Sequence, residues 1–477
     1  MNTTVTIPWW LFALLLAATV LAVLEWLLLP SVRWYFRRQV RGVIDEISVR
    51  LNIDIPQFKL TRRQALIDRL LLDPKVLAAA DAYATAQHLP GDVAMQQVNR
   101  YAREIVPAFN AYIYFRVGYW LSKTFARMIY RVRLGYTDST ALAAINPRST
   151  VVFVMNHRSN MDYILVSFLA AEKVALSYAV GEWARIWPIQ GLIRAMGAYF
   201  VRRDSGDPLY RMVLQRYVQM ATEAGVPQAM YPEGGLTTDG RLRAPKLGLL
   251  DYMLKNFDPG AERDLVFIPV GINYDRVIED RSLLRKLDPN ATRGSLWQTL
   301  RITGGQVLKQ VRLGLLGRRY RHGYACVNFG QPLSMRHYVQ SRKLDLRTLD
   351  DAARRAAVAA LGQTLMTQIG LVIPALPVPL VASVLLREPD RALSELELKS
   401  AVQALMAHIE ALGAHVYLPR SDRDYAITVG LRMLLLRRLI EEHDGLYRAD
   451  PRQLPVLAYY ANSIEHLAQP MPSLAAS

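Results

Sequence analysis

A histidine followed five residues later by an aspartate, in Asn156-His157-Arg158-Ser159-Asn160-Met161-Asp162, stands directly behind the apolar run Val151-Val152-Phe153-Val154-Met155. An imidazole titrates near neutral pH and can take a proton from an alcohol. A carboxylate on its other ring nitrogen fixes the tautomer and stabilises the cation that forms. Five residues along one continuous helix end about 140° from where they began, so the pair meets only if His157 lies in a loop and Asp162 inside the next helix. Ser159 or Asn160 can cap that helix. No nucleophilic serine is needed if the incoming alcohol itself attacks an activated acyl group. A hydrogen-bonded loop histidine beside a surface aspartate would be the plainer account of such a pair standing alone, so the neighbouring blocks decide.

Gly197-Ala198-Tyr199-Phe200-Val201-Arg202-Arg203 reads as a strand ending in two arginines. Alternation sends them to opposite faces, so one can reach the site, where a guanidinium fork suits phosphate. Tyr231-Pro232-Glu233-Gly234-Gly235 follows another apolar run; its glycines allow close backbone approach, and Lys246 comes soon after in Ala244-Pro245-Lys246-Leu247-Gly248. Glu233 either hydrogen-bonds a ligand or holds the loop in shape. Val266 to Asp275 reads as a wall strand carrying Pro269.

The elements that must position these residues alternate. Apolar runs at Val151–Met155, Ala198–Val201, Gln228–Tyr231, Leu265–Val270 and Ala325–Phe329 read as buried strands, and Leu209–Ala224 and Leu247–Asn256 as helices between them. The pattern predicts an α/β catalytic domain over 146–345, with a central mixed sheet flanked by helices. Before it, 31–145 reads as helical, with Val98, Tyr101, Ile105 and Phe109 on one apolar stripe that Tyr112, Phe115 and Tyr119 extend; core packing explains that stripe without a ligand. After it, 346–477 reads as a helical domain. Its prolines at 374, 377 and 379 make an extended, buried lead-in to a helix, Ser394 and Glu397 are spaced as a capping box, Gly413 is a stop, and a second helix is expected from Asp424 to Glu442. Helix, short strand and basic helix could also suit a winged nucleic-acid unit, but packing accounts equally for the apolar faces. The arginines that can be assigned are scattered through the motif blocks, so no nucleic-acid partner is expected.

The segment Trp9–Leu29 is apolar apart from Glu25 and has the length of one membrane-spanning helix. Tryptophans 9, 10 and 26 sit near its ends, and arginines 33, 37, 38 and 41 follow it, which places the body on the cytoplasmic face. Residues 1–30 are thus expected to be an anchor, although Glu25 leaves room for a helix lying in the membrane plane. The net charge of +17 comes mostly from arginine and favours an anionic partner such as a membrane surface or a phosphate. The single cysteine, Cys326, excludes an intramolecular disulfide and a cysteine-based zinc cluster.

The four motif blocks, in this order and at these separations, resemble the glycerolipid acyltransferase superfamily with its HxxxxD motif. The detail of His157-Arg158-Ser159, Met161-Asp162-Tyr163, Pro245-Lys246-Leu247-Gly248, Tyr274-Asp275-Arg276-Val277-Ile278-Glu279 and the segment Leu457–Leu467 resembles its glycerol-3-phosphate acyltransferase branch. The resemblance implies transfer of a fatty acyl group from acyl-CoA or acyl carrier protein to glycerol 3-phosphate, the first step of phospholipid synthesis. It implies no metal and no cofactor beyond the thioester co-substrate. His157 would be the general base and Asp162 its orienting partner; Arg158, Ser159, Arg202, Arg203, Glu233, Gly234 and Lys246 would bind substrate. Trp187, Leu192, Ile193 and Met196 are candidates for an acyl channel, though they fit a core helix equally well. There are two departures from the branch. Leu236 stands where a basic residue is usual, leaving Arg241, Arg243 or Lys246 to replace it. Asn156 is more typical of lysophosphatidic acid acyltransferases, which keeps 1-acylglycerol-3-phosphate as an alternative acceptor. A non-catalytic lipid-binding protein is a third reading.

Overall fold

The computed structural model describes residues 56–170, 175–181, 189–202, 205–287 and 322–468. The expected anchor lies outside them. Among the described residues, no helix is long and apolar enough to cross a membrane.

The described residues build a mixed eight-stranded sheet. Its strands are β1 (Arg131–Thr137), β2 (Thr150–Met155), β3 (Ser177–Val180), β4 (Tyr199–Phe200), β5 (Gln228–Met230), β6 (Leu265–Tyr274), β7 (Tyr324–Phe329) and β8 (Leu333–Ser334). They run in the order β1-β7-β6-β2-β5-β3-β4, with β8 on β6. β2 lies between β6 and β5, parallel to both, which is why its run of branched residues shows no polar alternation. The antiparallel pairing of β6 with β7 makes the sheet mixed. β6 runs beyond the apolar stretch Leu265–Val270 and stays buried through Tyr274, as the reading of Val266 to Asp275 as a wall strand expects.

β1 corrects the reading of 31–145 as wholly helical. Arg131-Val132-Arg133-Leu134 alternates at strand spacing and pairs only with β7, and the arginines suit an open edge. The helices before it are α1 (Arg63–Leu71), α2 (Pro74–Gln87) and α3 (Gly91–Ile105). α2 opens on Asp73, which accepts from the Lys75 and Val76 N–H groups, with proline as its first residue. α3 buries Val98, Tyr101 and Ile105 as its spacing predicts but ends there, just ahead of Pro107. The aromatic stripe therefore continues on a separate π-helical turn, Ile113–Gly118, that leads into α4 (Tyr119–Ile129).

Three further helices flank the sheet: α5 (Met161–Ala170), α6 (Pro208–Glu223) and α7 (Gly248–Leu254). α2 and α3 pack on α6 and so join the helical region to the catalytic sheet. In the C-terminal region, α8 (Asp351–Val372) crosses β6 so closely that a Cβ on Gly271 would stand 2.2 Å from the Val372 carbonyl oxygen. The proline segment leads, buried, into α9 (Pro377–Leu385), and α10 (Glu395–Ala411) carries the Ser394–Glu397 capping box. α11 (Arg423–Leu436) is shorter than the expected Asp424–Glu442 helix. Arg438 takes a positive φ, and the chain returns as the hairpin β10 (Ile440–His443) and β11 (Leu446–Ala449), which joins β9 (Leu393–Ser394) in a small sheet. Asp444 and Gly445 both have positive φ, the backbone of a tight hairpin turn. α12 (Leu454–Ala461) closes the domain.

Candidate active site

The loop between β2 and α5 carries the pair. Asn156, the last residue before His157, donates to the Ile272 carbonyl and accepts from the Ile272 N–H, both at 2.8 Å, and so pins the loop to β6. His157 accepts a hydrogen bond from the Thr237 N–H at its own carbonyl (3.0 Å), and its N–H donates to Glu233 Oε1 (2.8 Å). Asp162 sits in the first turn of α5, and its Oδ2 lies 2.9 Å from His157 Nδ1. The two side chains are 2% and 0% exposed. The same Oδ2 accepts from the Arg158 N–H (2.7 Å) and the Ser159 N–H (3.1 Å), while Tyr274 donates to Oδ1 at 2.5 Å. With Asp162 ionised, Nδ1 of the neutral ring carries the proton, and the lone pair is left on Nε2. That buried nitrogen has no hydrogen-bond partner among the described residues, on a residue that lines a cavity.

The cavity holds about 410 Å³. Tyr231 stacks on the His157 ring at 4.0 Å between centroids, and Tyr163 meets it edge-on at 5.3 Å. Gly234, Lys246, Arg202 and Arg211 also line the space, and no carboxylate is among its described lining residues. Gly234 takes a φ of +70°, and a Cβ there would stand 2.6 Å from Lys246 Cδ, so only glycine lets the lysine stem lie across the turn.

The remaining expected site residues divide. Arg158 turns away from the cavity and lies buried against the C-terminal region, donating to the Gly240 carbonyl at 2.9 Å, its guanidinium 5.3 Å from the Tyr459 ring centroid. Ser159 donates to Glu279 (2.7 Å) and accepts from the Met161 N–H (3.1 Å) at the head of α5. Glu233 accepts from the His157 and Arg243 N–H groups with its two oxygens, which is the loop-holding role. Arg202 reaches the cavity, but its fork is bound to Glu104 of α3 at 2.8 and 2.6 Å, with the rings of Tyr101 and Tyr210 about 5 Å from its guanidinium carbon. Arg203 and Trp187 lie outside the described residues. Leu192, Ile193 and Met196 do not line the cavity; Met196 packs with Ala111, Tyr114, Phe115 and Ala175, and Leu192 packs against the same cluster. Of the substitutes for a basic group at Leu236, Arg241 is paired with Glu465 and Arg243 bonds the Leu236 carbonyl. Only Lys246 reaches the cavity.

Sequence reasoning assigned no role to Tyr231, Tyr274, Glu279 or Arg211. Tyr231, Tyr274 and Glu279 stand inside quoted motifs, which is the available signal, and Arg211 has none. Removing the Tyr274 hydroxyl with Tyr274→Phe should leave Asp162 Oδ1 short of a donor in a dry site. Melting should report a loss of about 1–3 kcal/mol.

Burial pushes the Glu233 carboxyl up from 4.5 to about 7 against the pull of its two backbone donors. The folded chain therefore holds a proton there that the unfolded chain releases between those values. The cost of ionising Glu233 in the fold is absent below 4.5, grows as pH rises and is complete above 7. Glu233→Gln lacks that titration. Its melting temperature should improve relative to the parent chain as pH rises from about 5 to about 8, and a constant difference across that range would contradict this assignment.

The buried His/Asp pair at the carboxyl end of a central strand, opening on a cationic cavity, coincides with a family match. Residues 137–273 match the Acyltransferase family model, so the chain carries an acyltransferase domain. Residues 307–477 match the glycerol-3-phosphate acyltransferase C-terminal region. The chain is similar to proteins named glycerol-3-phosphate acyltransferase. It is 28% identical to that of Pseudomonas putida over 434 residues, 88% of this chain and 50% of the other, and 27% identical to that of Alteromonas mediterranea over 421 residues, 86% and 50%. It thus spans about half the length of these relatives. The crystal structure of a 1-acyl-sn-glycerophosphate acyltransferase from Thermotoga maritima overlaps 52% of this chain and 79% of that one at 17% identity, with a TM-score of 0.29, too low to equate the two folds.

Proposed function

We propose that this chain acylates the 1-hydroxyl of glycerol 3-phosphate from acyl-CoA or acyl carrier protein. The observation that carries the reading is the unpartnered His157 Nε2 beside a cation-lined cavity, with Nδ1 held by Asp162. Nε2 takes the proton of the attacking hydroxyl as its oxygen bonds the thioester carbonyl carbon. The tetrahedral oxyanion collapses, the carbon–sulfur bond breaks, and the departing thiolate takes the proton back from the imidazolium. No acyl-enzyme is needed. The apolar lining at Val180, Val201, Leu214 and Leu249 suits the start of the acyl chain, and the cations suit a phosphate. Asn156, the residue that favoured a lysophosphatidic acid acceptor, is spent on the β6 backbone and does not line the cavity. The apolar Trp9–Leu29 stretch and the arginines after it support work at the cytoplasmic face of a membrane.

The test is thiol release from one acyl donor by the purified chain, with glycerol 3-phosphate, dihydroxyacetone phosphate or lysophosphatidic acid supplied in turn. Fastest release with glycerol 3-phosphate is expected. Release with lysophosphatidic acid alone would assign the other acceptor, and none with any acceptor would remove the enzymatic reading.

A further inference from the structure

Three described cations line the cavity that His157 opens on, and they differ in what they are already doing. Arg202, the arginine the strand motif points to, is committed. Its Nε and Nη2 hold both oxygens of Glu104, and its guanidinium lies 5.0 and 4.9 Å from the Tyr101 and Tyr210 ring centroids, against a pair of rings that meet edge-on. A phosphate arriving at Arg202 would have to displace a bidentate carboxylate, so little binding energy would remain. This pair instead works as a clamp between α3 and the end of β4. Lys246 reaches the cavity from the turn behind Gly234.

Arg211 differs from both. It projects from the first turns of α6 and is exposed, and its side chain forms no hydrogen bond or ion pair with any described residue. Its neighbours Tyr210 and Leu214 line the same cavity, so the helix that carries it is part of the wall. An uncommitted guanidinium on a cavity that a lysine also lines, with no carboxylate among the described lining residues, is a ready site for a dianion. The fork can bind two phosphate oxygens while the ammonium contributes a point charge.

We infer that Arg211, together with Lys246, grips the phosphate of the acceptor and sets the preference for a phosphorylated alcohol, while Arg202 serves as the structural clamp. This rests on the proposed reaction. The experiment compares the parent chain with Arg211→Gln and Arg211→Lys, using glycerol 3-phosphate and one acyl donor at saturation. Losing one charge-assisted contact present in both the ground and transition states should raise the acceptor KM about ten- to a hundredfold, with kcat within about twofold and the donor KM unchanged. Arg211→Lys should recover part of the loss. An unchanged acceptor KM in Arg211→Gln would overturn the inference, and so would a rise confined to the donor KM. If the parent chain releases no thiol, the proposed reaction fails by itself. Calorimetric titration with glycerol 3-phosphate then decides Arg211 separately: weaker binding to Arg211→Gln than to the parent upholds the site, and equal binding, or none to either chain, removes it.

Discussion

Replacing His157 by alanine should lower kcat by about 100- to 10,000-fold and leave the acceptor KM close to that of the parent chain. Nε2 is the only unpartnered basic atom of the pair, and proton removal is needed only as the new carbon–oxygen bond forms. The phosphate contacts lie on other side chains, so binding should survive. Steady-state kinetics with glycerol 3-phosphate and one donor give both numbers. Near-normal kcat would refute His157 as the base, and a matching rise in KM would mean the imidazole binds the substrate instead.

The second large effect belongs to Asp162, and it separates geometry from charge. Asp162→Ala would strand the His157 Nδ1 hydrogen, the Arg158 and Ser159 N–H groups and the Tyr274 hydroxyl in a site with no exposed side chain to replace the acceptor. Each such orphan costs about 1–3 kcal/mol, so the sum reaches a substantial part of an ordinary stability of about 5–15 kcal/mol. Chemical denaturation should show a loss of several kcal/mol or failure to fold.

Asp162→Asn should behave differently. Three donors converge on Oδ2, so the amide oxygen must occupy that place and its NH2 group must face the Tyr274 oxygen, which can accept. The fold and the His157 tautomer are then kept, while the negative charge behind the imidazolium and the acceptor of the Tyr274 hydroxyl are lost. A fall in kcat of about ten- to a hundredfold is expected, with a stability loss of about 1–3 kcal/mol, well short of that of the alanine variant. Asparagine and alanine variants that were equally unstable would show that these bonds depend on the carboxylate's charge and not only on its oxygen.

The sequence by itself determined the pairing of His157 with Asp162 and much of the local architecture, because these depend on neighbours within a few residues. His157 in a loop and Asp162 in the first turn of a helix follow from the geometry of helical rotation and from the strand that ends at Met155. The Ser394–Glu397 capping box and the Asp73 and Asp207 caps are equally local. The Asp444–Gly445 turn is equally local, yet the apolar spacing of α11 carried the expected helix to Glu442, over the positive-φ Arg438 and into residues that form β10. β1 was overlooked for a related reason: a seven-residue edge strand after a long helical stretch has too few residues for its alternation to stand out.

Only the tertiary structure decided what the other polar residues do. Arg158 and Ser159 have the types and positions of ligand-binding residues, but their side chains meet Gly240, Tyr459 and Glu279, between 82 and 301 residues away. Arg202 meets Glu104, and Glu233 meets the backbone on both sides of the site. A charged side chain goes to whichever partner satisfies it when water is withdrawn, and that partner comes from packing across the sheet and not from spacing along the chain. Arg211 shows the converse. Nothing in its sequence neighbourhood marks it, and it becomes a candidate because the fold sets an uncommitted cation on the wall of the cavity that His157 opens on.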